Sequence, residues 1–243
     1  MATATPRPAI LEVDYPTSDG KPMAETELHR DLMFRLIHAL SAHFAADPNV
    51  CVTGNLLLYY EQGNKRKHVS PDVFFARGVP KRVRKYYLMW EEGQGPQVVI
   101  ELSSASTSRE DQTQKFELYR DVLKVQEYFL FDPYQEYLKP PLKGYRLEAG
   151  TYRPILPVEG RLPSEELHLH FEAAGEDLKL WNPDTRTHLL VPAEAARRSE
   201  QQALEVAASE REQRKALEKE NARLRTLLEK LGQDPTAPDE LDT

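Results

Sequence analysis

Val98, Val99 and Ile100 stand together in "PQVVIELSSAST" (residues 96–107), with no polar residue between them. A half-buried strand alternates apolar and polar residues, whereas an unbroken apolar run suits a strand covered on both faces. A chain with such a strand needs a layer on either side of its sheet, which points to a mixed α/β fold. Glu101 follows at once. A strand buried on both faces has no packing use for a carboxylate, so Glu101 is the first residue to account for.

The rest of the chain supplies the layers. A turn-rich entry, "DYPTSDGKP", leads into a helix expected from about Glu25 to Phe44. "NVCVTGNLLLYYEQGNKRKHVSPDVFFA" reads as two strands around a polar turn at "EQGNKRK". "RGVPKRVRKYYLMWEEGQGP" is a loop, basic first and acidic later. The opening strand comes next, then a helix from about Arg109 to Leu123 and a strand in "EYFLFDP". "GYRLEAGTYRPI" has hairpin character around Gly150, and "EDLKLWNPDTRTHLL" turns at Asn182–Pro183–Asp184. The order α-β-β-β-α-β, followed by short strands, makes one mixed α/β domain.

From Ala193 to Leu231 Gly, Pro and aromatic residues disappear, and Ala, Glu, Arg and Leu dominate. Leu217, Asn221, Leu224, Leu228 and Leu231 alternate by four and three, a heptad seam with Asn221 at an a position. Upstream the register meets Arg214, Glu210 and Ala207, so only the last two heptads are clean. A short dimerising coiled coil is expected over 193–231, with a disordered acidic tail over 232–243.

Cys51 is the only cysteine, which excludes an intramolecular disulfide and a cysteine-based zinc site. No run of 18 apolar residues occurs, so no transmembrane helix is expected. "MATATPRPAILEVDYP" lacks the basic-then-apolar pattern of a signal peptide. A soluble cytoplasmic protein is the simple expectation. Net charge is −7: residues 1–192 carry 23 Lys and Arg against 27 Asp and Glu, and residues 193–243 carry 9 against 12. Neither part binds nucleic acid by bulk charge, which leaves room only for local basic faces. Lys65–Arg66–Lys67 and Lys81, Arg82, Arg84 and Lys85 are candidates for phosphate contacts, or simply solvated loop charges.

Alternate residues on a strand share a face, so Val99, Glu101 and Ser103 point the same way. Asp72, in "SPDVFFA", opens another strand after Pro71. Two carboxylates on strand ends that meet can share a divalent cation through oxygen ligands; taken singly, each also reads as an ordinary turn or strand-end acid. Stepping 100° per residue along the following helix places Lys115 inside the apolar stripe of Phe116, Leu118, Tyr119, Val122 and Leu123, with Asp111 one turn earlier. A buried lysine needs an anion, so Lys115 either snorkels to the helix edge or points at Glu101 and Asp72. On the first helix, Glu25, His29 and His43 share the apolar face with Leu28, Leu32, Leu36 and Leu40, while Glu27 lies opposite. Glu25 is therefore the inward acid, unless it simply complements the helix dipole, and His29 reads first as a core histidine.

"SPDVFF", "VVIELSSASTSREDQTQKFELY" and "VQEYFLFDP", in that order, resemble the Uma-two family of restriction-endonuclease-like proteins, in the PD-(D/E)XK nuclease superfamily. The resemblance spans roughly residues 10–192, and the middle block carries most of it. It implies a restriction-endonuclease-like mixed sheet flanked by helices, extra C-terminal β-hairpins, and Mg²⁺- or Mn²⁺-dependent hydrolysis of DNA phosphodiesters. Residue by residue, Asp72 and Glu101 match the metal-binding carboxylates. The superfamily's Glu-x-Lys lysine is absent, because position 103 is Ser. Lys115, on the next helix, matches the position from which this family takes its lysine. Glu25, or else Glu27, would match an acid on the first helix. The expected domains are then 1–192, 193–231 and 232–243, with DNA and a second copy of the chain as partners. The competing reading is a non-catalytic dimeric module that binds DNA or protein on a nuclease-like fold; Ser103 and the acidic balance favour it.

Overall fold

A computed structural model describes residues 15–18 and 26–230. They fall into two compact units divided between Val191 and Pro192. The first helix, α1 (Glu27–His43), starts at Thr26, whose side chain accepts a hydrogen bond from the His29 N–H at 3.2 Å. Its spacing buries Leu32, Met33, Leu36, Ala39 and Leu40.

The segment expected as two strands is divided among four short ones: β1 (Val50–Thr53), β2 (Leu58–Tyr59), β3 (His68–Val69) and β4 (Val73–Arg77). The "EQGNKRK" turn joins β2 to β3. The outer pair, β1 and β4, stays together in the main sheet, while β2 and β3 peel off to join β5 (Tyr87–Leu88) in a three-stranded sheet. The chain leaves the main sheet at Gly54 and Asn55. A Cβ on Gly54 would lie 1.8 Å from the carbonyl oxygen of Asp72, so only glycine fits there. Asn55 takes a left-handed φ of 48° and donates its N–H to the Pro71 carbonyl at 2.9 Å.

After a short helix, α2 (Met89–Glu92), comes β6 (Val98–Leu102), buried at all five positions. The next helical stretch is broken: α3 (Ser108–Gln112) ends at Thr113, α4 (Gln114–Glu117) restarts, and a wider turn over Leu118–Val122 closes with the Leu123 N–H reaching back five residues to the Leu118 carbonyl at 3.0 Å. β7 (Glu127–Phe131) follows, then β8 (Leu142–Glu148) and β9 (Thr151–Pro154), a hairpin turning at Ala149 and Gly150, both at positive φ. The main sheet runs β1-β4-β6-β7-β8-β9. Within this sheet β6 and β7 pair in parallel, and the other neighbours are antiparallel. β10 (Leu162–Ser164), β11 (Leu169–Ala174), β12 (Asp177–Asn182) and β13 (Thr187–His188) form a separate antiparallel sheet.

The period of two divides the core. Val98, Ile100 and Leu102 pack with the apolar face of α1 and with Leu169, Phe171, Leu178 and Leu180 of the four-stranded sheet. Val99 faces the other way, toward Tyr119, Leu123 and Tyr128, where Leu58, Val69 and Tyr87 complete the cover. Glu101 shares that second face, beneath α3 and α4.

The second unit includes α5 (Pro192–Lys230), 39 residues long. Leu217 and Leu224 of the proposed seam are 64% and 48% exposed. Leu231 and the tail expected over 232–243 lie outside the described residues. Among the described residues no helix is long and apolar enough to cross a membrane.

Candidate active site

The ladder between β4 and β6 puts Val73 opposite Ile100, so one further antiparallel step sets Asp72 opposite Glu101. Regular pairing ends there, and side chains take over the bonds. The Leu102 N–H donates to Asp72 Oδ2 at 2.7 Å, and the Asp72 N–H lies 3.4 Å from Glu101 Oε2. On the far side of Asp72, His29 Nε2 of α1 stands 3.2 Å from Oδ1.

Glu101 is fully buried, and both its oxygens are engaged. Tyr119 donates its hydroxyl to Oε1 at 2.6 Å, and Lys115 Nζ lies 3.0 Å from Oε2. The same ammonium is 3.0 Å from Asp111 Oδ1, one helical turn earlier. Ser103, two residues beyond Glu101 on the same face, donates to Asp111 Oδ2 at 3.4 Å. Lys115 thus points from the apolar stripe of its helix into the sheet rather than along it to water, and its side chain is 13% exposed.

Three carboxylates share one ammonium, and their protonation divides accordingly. Burial pushes Glu101 well above the usual carboxylate range. Lys115 opposes that rise, and the charges of Asp72 and Asp111 add to it. Burial also raises Asp111, against the pull of Lys115. Burial would raise Asp72 too, but His29, Lys115 and the Leu102 N–H outweigh it and hold this carboxyl below its usual value. Burial disfavours the Lys115 cation, yet Glu101, Asp111 and Asp72 together hold it charged far above its ordinary range. Burial and the Glu101 charge keep the Tyr119 hydroxyl protonated, so it remains a donor. Lys115 therefore stays an ammonium, and Glu101 is the carboxyl that most readily takes a proton.

Lys115 forms part of the wall of an open cleft of about 460 Å³. Tyr60, His68 and Ser70, from the β2–β3 hairpin and the segment after it, line it together with Glu110 and Gln114. Lys65, Arg66 and Lys67 are exposed on the turn of the same hairpin. Three members of the other basic group are committed elsewhere, while Lys85 is exposed. Arg82 and Arg84 pair with Glu92 at 2.6 and 2.7 Å, and Lys81 Nζ binds the Phe44 and Ala45 carbonyls at 2.6 and 3.0 Å. The basic and acidic halves of that loop neutralise each other.

Glu25 lies outside the described residues. Glu27 points to solvent, its side chain 84% exposed and 3.9 Å from Arg30. The sequence places Asp111 on the stripe beside Lys115 and His29 on the core face of its helix, and assigns no role to the hydroxyls of Tyr119 and Ser103. The signals for them were an i, i+4 spacing to Lys115, a histidine on a buried stripe, and a period-two partner of Glu101.

Among the described residues no three His, Cys, Asp or Glu side chains are grouped as a ready metal cage. Mg²⁺ does not ask for one: it takes one or two carboxylates, keeps several waters and completes its shell with substrate phosphate. Asp72 and Glu101 supply two hard oxygen donors across one ladder step, each carboxylate has more lone pairs than the bonds it accepts, and the cluster holds more anions than cations. The donor set fits such an ion.

The fold is a mixed α/β sheet core flanked by helices, with an acid–lysine cluster at the ends of two core strands. The family model described as "Uma2: Putative restriction endonuclease" matches residues 9–175, and the chain belongs to this family. Among solved structures, a crystal structure of "a putative nuclease belonging to DUF820 from Anabaena variabilis" is similar over 67% of this chain and 91% of that one, at 16% identity and a TM-score of 0.46. No curated protein matches the chain.

Proposed function

We propose that this protein is a cytoplasmic endonuclease that hydrolyses DNA phosphodiester bonds with the help of Mg²⁺ or Mn²⁺. The observation that carries the reading is the unbalanced cluster: Lys115 shared between buried Glu101 and Asp111, with Asp72 directly across the ladder and an open cleft beside the lysine. Asp72 and Glu101 would hold the ion. When bound, it supplies Lewis-acid polarisation of the phosphate and a lowered pKa for a nucleophilic water. The chain's own residues do the rest. Tyr119 locks the rotamer of Glu101, and His29 and the Leu102 N–H lock that of Asp72. The Lys115 ammonium, charged at every working pH, faces the negative charge that grows on the phosphate in the transition state. Lys65, Arg66 and Lys67 supply backbone contacts near the cleft.

Mg²⁺-dependent nicking of plasmid DNA tests this. Glu101→Ala and Lys115→Met should each reduce nicking by about 10²-fold or more, the usual loss when one electrostatic partner of the transition state is removed. Full nicking by both variants would sink the reading. One observation favours the non-catalytic alternative: both Glu101 oxygens are already bonded within the chain, as in a closed structural ion pair. Under that alternative the wild type does not nick at all.

We also propose that α5 pairs in parallel with α5 of a second copy. Leu217 and Leu224, exposed in the single chain, and Asn221 occupy the alternating seam of a two-stranded coiled coil. In that register Glu220 at g faces Arg225 at e of the other helix.

A further inference from the structure

Lys115 Nζ is 3.0 Å from Glu101 and 3.0 Å from Asp111. Under the function proposed above, on which this inference rests, a divalent cation comes to Glu101. Cations a few ångströms apart repel strongly in a partly buried site, so an ammonium held by Glu101 alone would leave through the cleft. Asp111 offers it a second anchor. That anchor is fixed: the side chain is 1% exposed, Ser103 Oγ donates to Oδ2, and Tyr128 donates its hydroxyl to the Asp111 carbonyl at 3.0 Å. It lies one helical turn before Lys115, so the ammonium can shift toward it by side-chain rotation alone. Glu101 cannot follow, because Tyr119 holds its other oxygen.

We propose that Asp111 is a positioning residue that keeps the Lys115 ammonium in the site when Glu101 binds a divalent cation. Ser103, at the strand position where a lysine could have stood, instead orients the carboxylate that holds a lysine arriving from the helix.

The test follows the Lys115 side-chain ¹⁵N–¹H signal of the full chain by NMR, assigned with Lys115→Arg, with and without Mg²⁺. Calorimetry on the same samples reports whether Mg²⁺ binds. An ammonium held by carboxylates exchanges its protons slowly and gives a signal, whereas a freed one does not. In the wild type the signal should survive Mg²⁺ addition. In Asp111→Asn it should be present without Mg²⁺, held by Glu101, and vanish when Mg²⁺ is added. A merely structural Asp111 gives no such Mg²⁺-conditional loss. Bound Mg²⁺ with an unchanged signal in Asp111→Asn overturns the inference and leaves the nuclease reading standing. So does a signal lost from the wild type on binding, or one already missing from Asp111→Asn without Mg²⁺. No Mg²⁺ binding to the wild type overturns the reading of the site, and this inference with it.

Discussion

Two buried glutamates stand on the paired parallel strands at the centre of the main sheet, Glu101 on β6 and Glu127 on β7, and they are settled in opposite ways. Glu127 has a full set of donors. Arg146 reaches its Oε1 through Nε and Nη2 at 3.0 and 2.9 Å, the Glu165 N–H donates at 2.8 Å, and Ser164 donates its hydroxyl to Oε2. Among the buried groups one cation meets one fully bonded anion, the second carboxylate on Arg146, Glu165 at 2.7 Å, being exposed to solvent, and the pair pins β8 and the turn after β10 to the sheet. At Glu101 the count fails: Glu101 and Asp111 flank Lys115, Asp72 stands across the ladder, and among the described residues His29 is the other basic group against these carboxylates. The first arrangement is complete as it stands. The second holds surplus negative charge beside a cleft, which a bound cation would relieve. A buried acid alone does not mark a site; a local charge imbalance does.

The largest effect expected from this contrast is on stability at Glu127. Glu127→Ala leaves Arg146 with only the exposed Glu165 and strands the Ser164 hydroxyl and the Glu165 N–H, and the loss should be about 3 kcal/mol in urea unfolding. A loss below about 1 kcal/mol, the size of an exposed pair, would erase the distinction.

Glu101 should behave in the reverse sense. Its carboxyl pKa is raised in the folded chain, so the folded state binds more protons than the unfolded one between the two values. Stability therefore falls as pH climbs from the unfolded value, about 4.3, through the raised folded value. Glu101→Gln removes that penalty and keeps an acceptor for Tyr119. Measured against the wild type without added metal, the variant should gain stability with rising pH over this range, by up to about 1.4 kcal/mol per pH unit. A difference that is flat with pH would mean the raised pKa is not there.

The smallest expected effect lies in the second unit. Two clean heptads make a weak zipper, so light scattering on the full chain should show a dimer that becomes a monomer when the chain ends at Pro192. The same oligomeric state for both would remove the coiled-coil proposal.

The sequence made one side of the contrast visible and hid the other. Glu101 stood out because an unbroken apolar strand has no place for it, and Lys115 because a helical wheel set it among Phe116, Leu118 and Tyr119. The wheel survived the break at Thr113 because Asp111 and Lys115 keep their one-turn spacing across it. The break itself was illegible: the Thr113 hydroxyl bonds back to the Arg109 carbonyl at 2.7 Å, and the widened turn brings the Tyr119 hydroxyl onto Glu101. Neither leaves a mark on apolar periodicity. Glu127 was illegible as a pin because Arg146 and Ser164 lie 19 and 37 residues away, and only the register of β8 and β10 brings them in. The division of 49–76 into two sheets was missed for a similar reason. It depends on a backbone contact between Gly54 and Asp72 that no local pattern encodes.

The nuclease reading stands or falls on whether Asp72 and Glu101 form a cation site. Calorimetric titration of the metal-free protein with Mn²⁺, beside Asp72→Ala under the same conditions, tests it directly. Saturable binding by the wild type and its loss in the variant are expected. Equal binding by both, or none by the wild type, would contradict it.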